Sequence, residues 1–449
     1  MSFKRFVETI NIEIGASIPD AWADLSEVHL AQRFLEGLNE YFFQTYEGIG
    51  SALFDGEEIQ YFSEFHKFWE AHHREILDPQ IDSGKALVAA QALITAAREY
   101  GDTIFRVTHD TLGLTARAVA QVRFFTANQD FREPPQNQFG RYLEDPTRFD
   151  PDEIVDDPVD FLRFLGVTRL SQTDKRLDFA RSAANFLLNM GADAFDIAAR
   201  YQEDAGQIRD GLVSAPNMGY GPKKANMFVR DMVELGVWTG LRNLDRIDVA
   251  SDINTMKVAL RAGILRTEIP LLSSFLDVFC HQYGAIDGMS ARAWRTVWEQ
   301  WVALDPSTAP ASPSLMDFLL YRIGREYCDD KVVRYRCHEG HTFYHFGARL
   351  KNCPICKTDG RRVRAEPGAR LLPCQLRSEH LPREGGQLLL PDTNLLKTLD
   401  GVCVLEAVCE PKGEDFHALN PPKSISIKGR TSWTSSYAYR YKGGGGMMG

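Results

Sequence analysis

Cys337 and His341 have three residues between them, and after eleven more residues come Cys353 and Cys356, separated by Pro354 and Ile355. Thiolate and imidazole are donors that suit Zn²⁺, and each close pair can bend around one side of a tetrahedral ion. Four protein donors leave no open position for water, so the expected cofactor is a structural Zn²⁺. His338, His345 and Cys374 are rival donors by position. None of the eight cysteines precedes Cys280. Such a distribution suits metal chemistry in a reducing compartment better than a disulfide framework.

A second constellation lies upstream. Pro216-Asn217-Met218-Gly219-Tyr220-Gly221-Pro222-Lys223-Lys224-Ala225 separates two helical patterns. Glycines one residue apart permit a tight turn with positive φ, and Pro222 suits the first turn of the next helix. The turn would expose backbone N–H groups at a helix N-terminus, which is a seat for phosphate. Further on, Ser251-Asp252-Ile253-Asn254 precedes the helical pattern Thr255–Ala262, with Asp252 in the place of an N-cap. Asp245 and Asp248 are competing carboxylates in the same stretch.

Together these residues resemble the helix-hairpin-helix DNA glycosylase superfamily. Its hairpin reads Gly-x-Gly-x-Lys-x-Ala, which Gly219, Gly221, Lys223 and Ala225 fill, with Met218 where a proline is usual. The resemblance places the family's catalytic aspartate on Asp252 and its lyase lysine on Lys223, with Lys224 as the near neighbour. The 29 positions between Lys223 and Asp252 look most like the archaeal 8-oxoguanine glycosylase branch. Leu170-Ser171-Gln172-Thr173-Asp174 is similar to the segment whose glutamine fills the gap left by a flipped base, which marks Gln172. Lys351–Lys357 looks like the second knuckle of a zinc ribbon. The resemblance spans roughly 160–300 and implies a DNA partner, duplex with a flipped modified base, whose N-glycosidic bond is cleaved to leave an abasic site. The added modules are similar in kind to those of anti-phage glycosylases that remove glucosylated hydroxymethylcytosine. An 8-oxoguanine repair glycosylase/lyase, a nucleoside N-glycosidase and a non-catalytic DNA-binding protein remain alternatives.

The elements that must position these groups follow from periodicity. Apolar residues recur at three- and four-residue intervals before residue 330, and short β-prone runs follow it. The fold class expected is mainly α, with a helical glycosylase-type core and a small β-rich zinc ribbon near the C-terminus. The expected division is a helical region over 1–140, an acidic linker over 141–160, the hairpin domain over 161–330, the ribbon over 331–375, and a β-rich segment with a basic aromatic tail over 376–449. His66, His72, His73 and Glu75 read as a helix face more readily than as a metal site.

Charge narrows the partner. The 449 residues carry 51 Lys and Arg against 61 Asp and Glu, a net charge of −10, which excludes general attraction to polyanions. Residues 331–370 nevertheless hold ten basic and three acidic residues, so any phosphate-binding surface is local. Arg361, Arg362 and Arg364 are its expected DNA contacts, beside Gly219, Gly221 and Lys224. The start of the chain lacks a signal pattern and no run is long enough to span a bilayer, so a cytoplasmic location is expected.

Overall fold

The structure, a computed structural model, describes residues 50–54, 57–61, 78–106, 109–129, 135–167, 173–266, 283–328, 332–346, 350–371, 388–389 and 403–409. It is mainly helical with a small sheet near the C-terminus, as expected. The described helices are α1 (Ser83–Tyr100), α2 (Ala116–Ala127), α3 (Pro135–Glu144), α4 (Pro151–Asp156), α5 (Pro158–Phe164), α6 (Thr173–Met190), α7 (Ile197–Arg200), α8 (Ala205–Ser214), α9 (Pro222–Glu234), α10 (Ile253–Arg261), α11 (Tyr283–Leu304), α12 (Asp317–Glu326) and α13 (Pro354–Thr358). Among them, none is long and apolar enough to cross a membrane.

The chain divides into two compact units. One unit takes Ala97–Asp252 with Asp305–Leu319, and the other takes the remaining segments. Periodicity shows which face of a helix is buried but not which distant helix covers it, so a unit built from separated segments is invisible to it.

In the first unit, α2 is the central helix. Thr115 caps it by accepting from the Ala118 N–H, and Val119, Val122, Phe124 and Phe125 are buried on several sides of it. Phe124 stacks on Tyr220 at 5.6 Å and meets Phe228 of α9 edge-on at 5.7 Å. Beneath these rings lies an ion cluster in which Arg123 and Arg230 both bond Asp231, and Arg230 also pairs with Asp317. Gln138 of α3 accepts from Arg123 at 3.2 Å.

The acidic segment 141–160 is structured, where a linker was expected. Asp145, Asp150 and Asp157 accept from the N–H groups of Thr147, Asp152 and Asp160, and a proline follows each of them at the start of a helical turn. Aspartate at the N-cap and proline at the first helical position form a repeated helix-start signal, because the carboxylate accepts from an N–H that the first turn leaves open and proline has no N–H to leave unpaired. Phe149, Ile154, Phe161 and Leu162 carry the segment into the core.

In the second unit, β3 (Gln80–Ile81) and β4 (Leu265–Arg266) form a short antiparallel pair, and β1 (Gly50–Phe54) with β2 (Glu57–Tyr61) forms another. Trp294 and Trp301 of α11 are fully buried, and the Trp294 indole donates to the Thr255 carbonyl of α10 at 3.2 Å. The C-terminal sheet runs β7 (Ala365–Leu371), β5 (Val332–Cys337), β6 (Thr342–Phe346), β8 (Leu388–Leu389), with the first three antiparallel and β8 parallel to β6. Of the segment 376–449, only 388–389 and 403–409 are described.

Candidate metal centre and hairpin

Two turns carry the four expected metal donors. At the end of β5 the Cys337 N–H bonds the His341 carbonyl at 3.0 Å, the Gly340 N–H bonds the Cys337 carbonyl at 2.9 Å, and Gly340 adopts φ +85°. In the other turn, Cys353 precedes α13 with Pro354 at its first position. The Cys353 N–H bonds the Val363 carbonyl, and the Arg361 N–H bonds the Cys356 carbonyl. Each turn folds its backbone hydrogen bonds around a donor pair, so the Sγ and Nδ1 atoms converge.

The donor atoms of Cys337, His341, Cys353 and Cys356 all lie within 4.8 Å of one another. His341 Nδ1 stands 3.5, 3.9 and 3.3 Å from the sulfurs of Cys337, Cys353 and Cys356, and two of the sulfurs are 4.0 Å apart. Bond lengths of about 2.3 Å to sulfur and about 2.05 Å to nitrogen at a tetrahedral ion give edges of about 3.8 and 3.6 Å. The cluster can therefore hold a metal ion, and its cysteines are free thiols. Burial opposes a thiolate at Cys337, but hydrogen bonds from the backbone of His341 and Glu339 bring its pKa down to about 7. Burial and the neighbouring Cys353 and Cys337 push Cys356 up to about 12. A dication at the centre removes that conflict by favouring thiolate at every sulfur.

The rivals drop out on geometry or position. His338 is exposed and faces Glu366 at 3.6 Å, while His345 is on β6 opposite Val333. Cys374, Gln172 and the four residues from His66 to Glu75 lie outside the described residues.

Upstream, the short segment 215–221 joins α8 to α9. Asn217 and Gly219 have φ of +55° and +74°. A Cβ on Gly219 would fall 2.7 Å from the Phe179 ring and 3.0 Å from the Asn128 carbonyl oxygen, so glycine is required twice over. Gly221 is exposed, has φ −85°, and opens α9 without a side-chain cap. Its N–H end is therefore presented outward.

The two lysines part company. Lys224 donates to the Asn128 carbonyl at 2.8 Å and lies 5.8 Å from the Phe179 ring centre. Lys223 is half-buried and has no ion pair or hydrogen bond among the described residues. The Tyr220 hydroxyl donates to the Phe124 carbonyl at 2.6 Å, and the Asn128 amide donates to the Met218 carbonyl at 3.1 Å. Sequence reasoning treated Lys224 as a DNA contact and missed this tie, because the spacing of two adjacent lysines does not show which faces the core.

Asp252 stands directly ahead of α10 and is half-exposed. The approach to it is fixed: Ile247, Val249 and Ala250 are buried, and the Ile247 carbonyl accepts from Ser312 Oγ and the Ser314 N–H at 3.2 and 3.1 Å. Asp245 is exposed in the turn Leu244–Arg246, and Asp248 is half-exposed. No protein-family model, curated protein or solved structure matches the chain.

Arg361, Arg362 and Arg364 follow the second metal turn. Arg361 is engaged by Glu339 at 3.2 Å and Asp359 at 3.7 Å, which hold its guanidinium pKa up. Arg362 and Arg364 are exposed and make no ion pair among the described residues.

Proposed function

We propose that the chain is a DNA N-glycosylase, with Asp252 as the catalytic carboxylate and the Gly219–Lys223 hairpin as a phosphate seat. The observation that carries this is the hairpin itself: a glycine-dependent turn whose exposed, uncapped helix N-terminus is flanked by a lysine with no internal partner among the described residues. A backbone held in that way offers N–H groups to a phosphate oxygen without reorganising.

The chemistry assigned to Asp252 is electrostatic. As the N-glycosidic bond lengthens, positive charge grows on the sugar, and a fixed carboxylate stabilises it and orients the attacking water. Lys223 can serve in either of two roles. As a nucleophile it would form a covalent imine with the sugar; as a phosphate contact it would leave the hydrolysis to water. We assign it the second role, so the product is an intact abasic site.

The metal is proposed to be zinc, since three sulfurs and one imidazole in a closed tetrahedral set are the donors of a structural zinc site. The substrate placed first is a bulky modified base of viral DNA, such as glucosylated hydroxymethylcytosine, because the chain carries long regions beyond the hairpin domain. The test is abasic-site formation on duplexes holding that base, 8-oxoguanine or uracil. Release from one of them, lost in Asp252→Asn with zinc content and melting temperature retained, supports the assignment. Absence of release from all, or full activity in Asp252→Asn, overturns it.

A further inference from the structure

We propose that the outer face of the metal-held sheet is a clamp for the phosphate backbone of duplex DNA, formed by Arg334, Arg336, Arg362 and Arg364. The inference rests on the reading that the chain acts on DNA, and it assigns contacts that lie outside the catalytic hairpin.

The pleat sorts the residues. Along β5, Tyr335 and Cys337 point into the small core around the metal donors, so Arg334 and Arg336 point away from it, and both are exposed. Cys337 pairs with Ala365 and Arg336 with Glu366 across the antiparallel ladder, which places Ala365 inward and Glu366 outward. Val363 also packs on the inner core, so Arg362 and Arg364 take the outward positions of the segment that leads into β7, where Arg364 bridges Asn352. Counted from the Arg336–Glu366 pair, Arg364 and Arg362 lie past the end of β5, and Arg334 lies on its far side. At about 3.4 Å per residue the four guanidinium groups form a row about 20 Å long, the length of several phosphates along a DNA strand.

Glu339 and Asp359 hold Arg361, and Glu366, the cross-strand neighbour of Arg336, lies 3.6 Å from His338. None of the four arginines makes an ion pair among the described residues. Unpaired guanidinium groups on a rigid sheet suit phosphate, whose oxygens accept two N–H bonds from one arginine. A chain with a net charge of −10 that concentrates such a patch on one sheet face has a specific place for a polyanion.

The test uses the full-length, metal-loaded protein and an unmodified duplex that it cannot cleave, titrated by fluorescence anisotropy at several salt concentrations. Replacing all four arginines by glutamine should weaken binding and lower the slope of log K against log salt by about 3.6, or about 0.9 for each phosphate no longer neutralised. Arg361→Gln should leave the slope unchanged. Metal content is measured on each variant, and the two double variants, Arg334→Gln with Arg336→Gln and Arg362→Gln with Arg364→Gln, repeat the test if the quadruple one loses its metal. An unchanged slope in metal-loaded variants overturns the clamp, as does a loss confined to anionic vesicles or acidic peptides. Base release is scored separately. Release with an unchanged slope removes the clamp alone, whereas a lowered slope without release from any duplex removes the glycosylase assignment and leaves the clamp.

Discussion

Lys224 Nζ donates a 2.8 Å hydrogen bond to the carbonyl oxygen of Asn128, one residue past the end of α2. The cation thus sits at the negative end of that helix, where it is stabilised by the unpaired carbonyls. Lys224→Met should therefore lower stability by about 1–2 kcal/mol, the scale of a charge-assisted hydrogen bond. Lys223→Gln should change stability by less than about 0.5 kcal/mol, as surface changes do. Chemical denaturation of both variants checks the contrast, and equal losses would contradict it.

Lys223 also reports the reaction path. With the lysine on phosphate, borohydride should trap no covalent adduct, and Lys223→Gln should weaken DNA binding while retaining some base release. A trapped adduct that disappears in Lys223→Gln would reassign the lysine as the nucleophile.

The two hairpin glycines separate folding from binding. Gly219→Ala meets positive φ, the Phe179 ring and the Asn128 carbonyl, and should cost about 1–3 kcal/mol. Gly221→Ala meets nothing within 4 Å at φ −85°, and should leave the melting temperature almost unchanged. Its methyl group would stand where a phosphate approaches, so DNA affinity should fall nonetheless. Unchanged affinity in Gly221→Ala would remove the hairpin from the interface.

One zinc per chain is expected by elemental analysis in reducing buffer. Cys353→Ser should lose it and destabilise the sheet, whereas His338→Ala should retain it, since that ring is turned towards Glu366. Full zinc content in Cys353→Ser would require a different donor set.

Acid should act on the ion cluster. Burial raises the Asp231 pKa, but the adjacent Arg230 and Arg123 outweigh it and hold the carboxyl below its ordinary value. A folded pKa below the unfolded value of about 3.9 means that the stabilisation is complete above that pH and disappears as pH falls through the folded pKa. Asp231→Asn should cost about 3–5 kcal/mol at neutral pH, because buried Arg123 loses its carboxylate partner and Arg230 loses one of its two. The gap between the two proteins should narrow below about pH 4, which melts taken from neutral to acid pH will measure. A gap that widens on acidification would reverse the sign.

The donor set was legible because metal spacing is local: each pair lies within one turn, and only residues 342–352 separate the pairs. The hairpin glycines were legible for the same reason. The helical character of 141–160 was not, although its three Asp-Pro steps spelled helix starts, because a run of carboxylates and prolines suits a solvated loop equally well. Nor could spacing distinguish Arg361, bound by two carboxylates, from Arg362 and Arg364, or reveal Arg334 and Arg336, whose outward direction depends on strand register.

The joining of α2 to α9 at two separated places has a thermodynamic consequence. Arg123 grips Asp231 at one place, and seven residues earlier along α9, Lys224 grips the carbonyl of Asn128 at the other. Seven residues of helix span about 10.5 Å. Two ties at that separation fix the direction of α9 as well as its position, as two screws hold a hinge plate where one lets it pivot. The N-terminal amides of α9 are thereby aimed before any ligand arrives. Association at this end should therefore carry little ordering entropy, and its heat-capacity change should be that of surface burial without coupled folding.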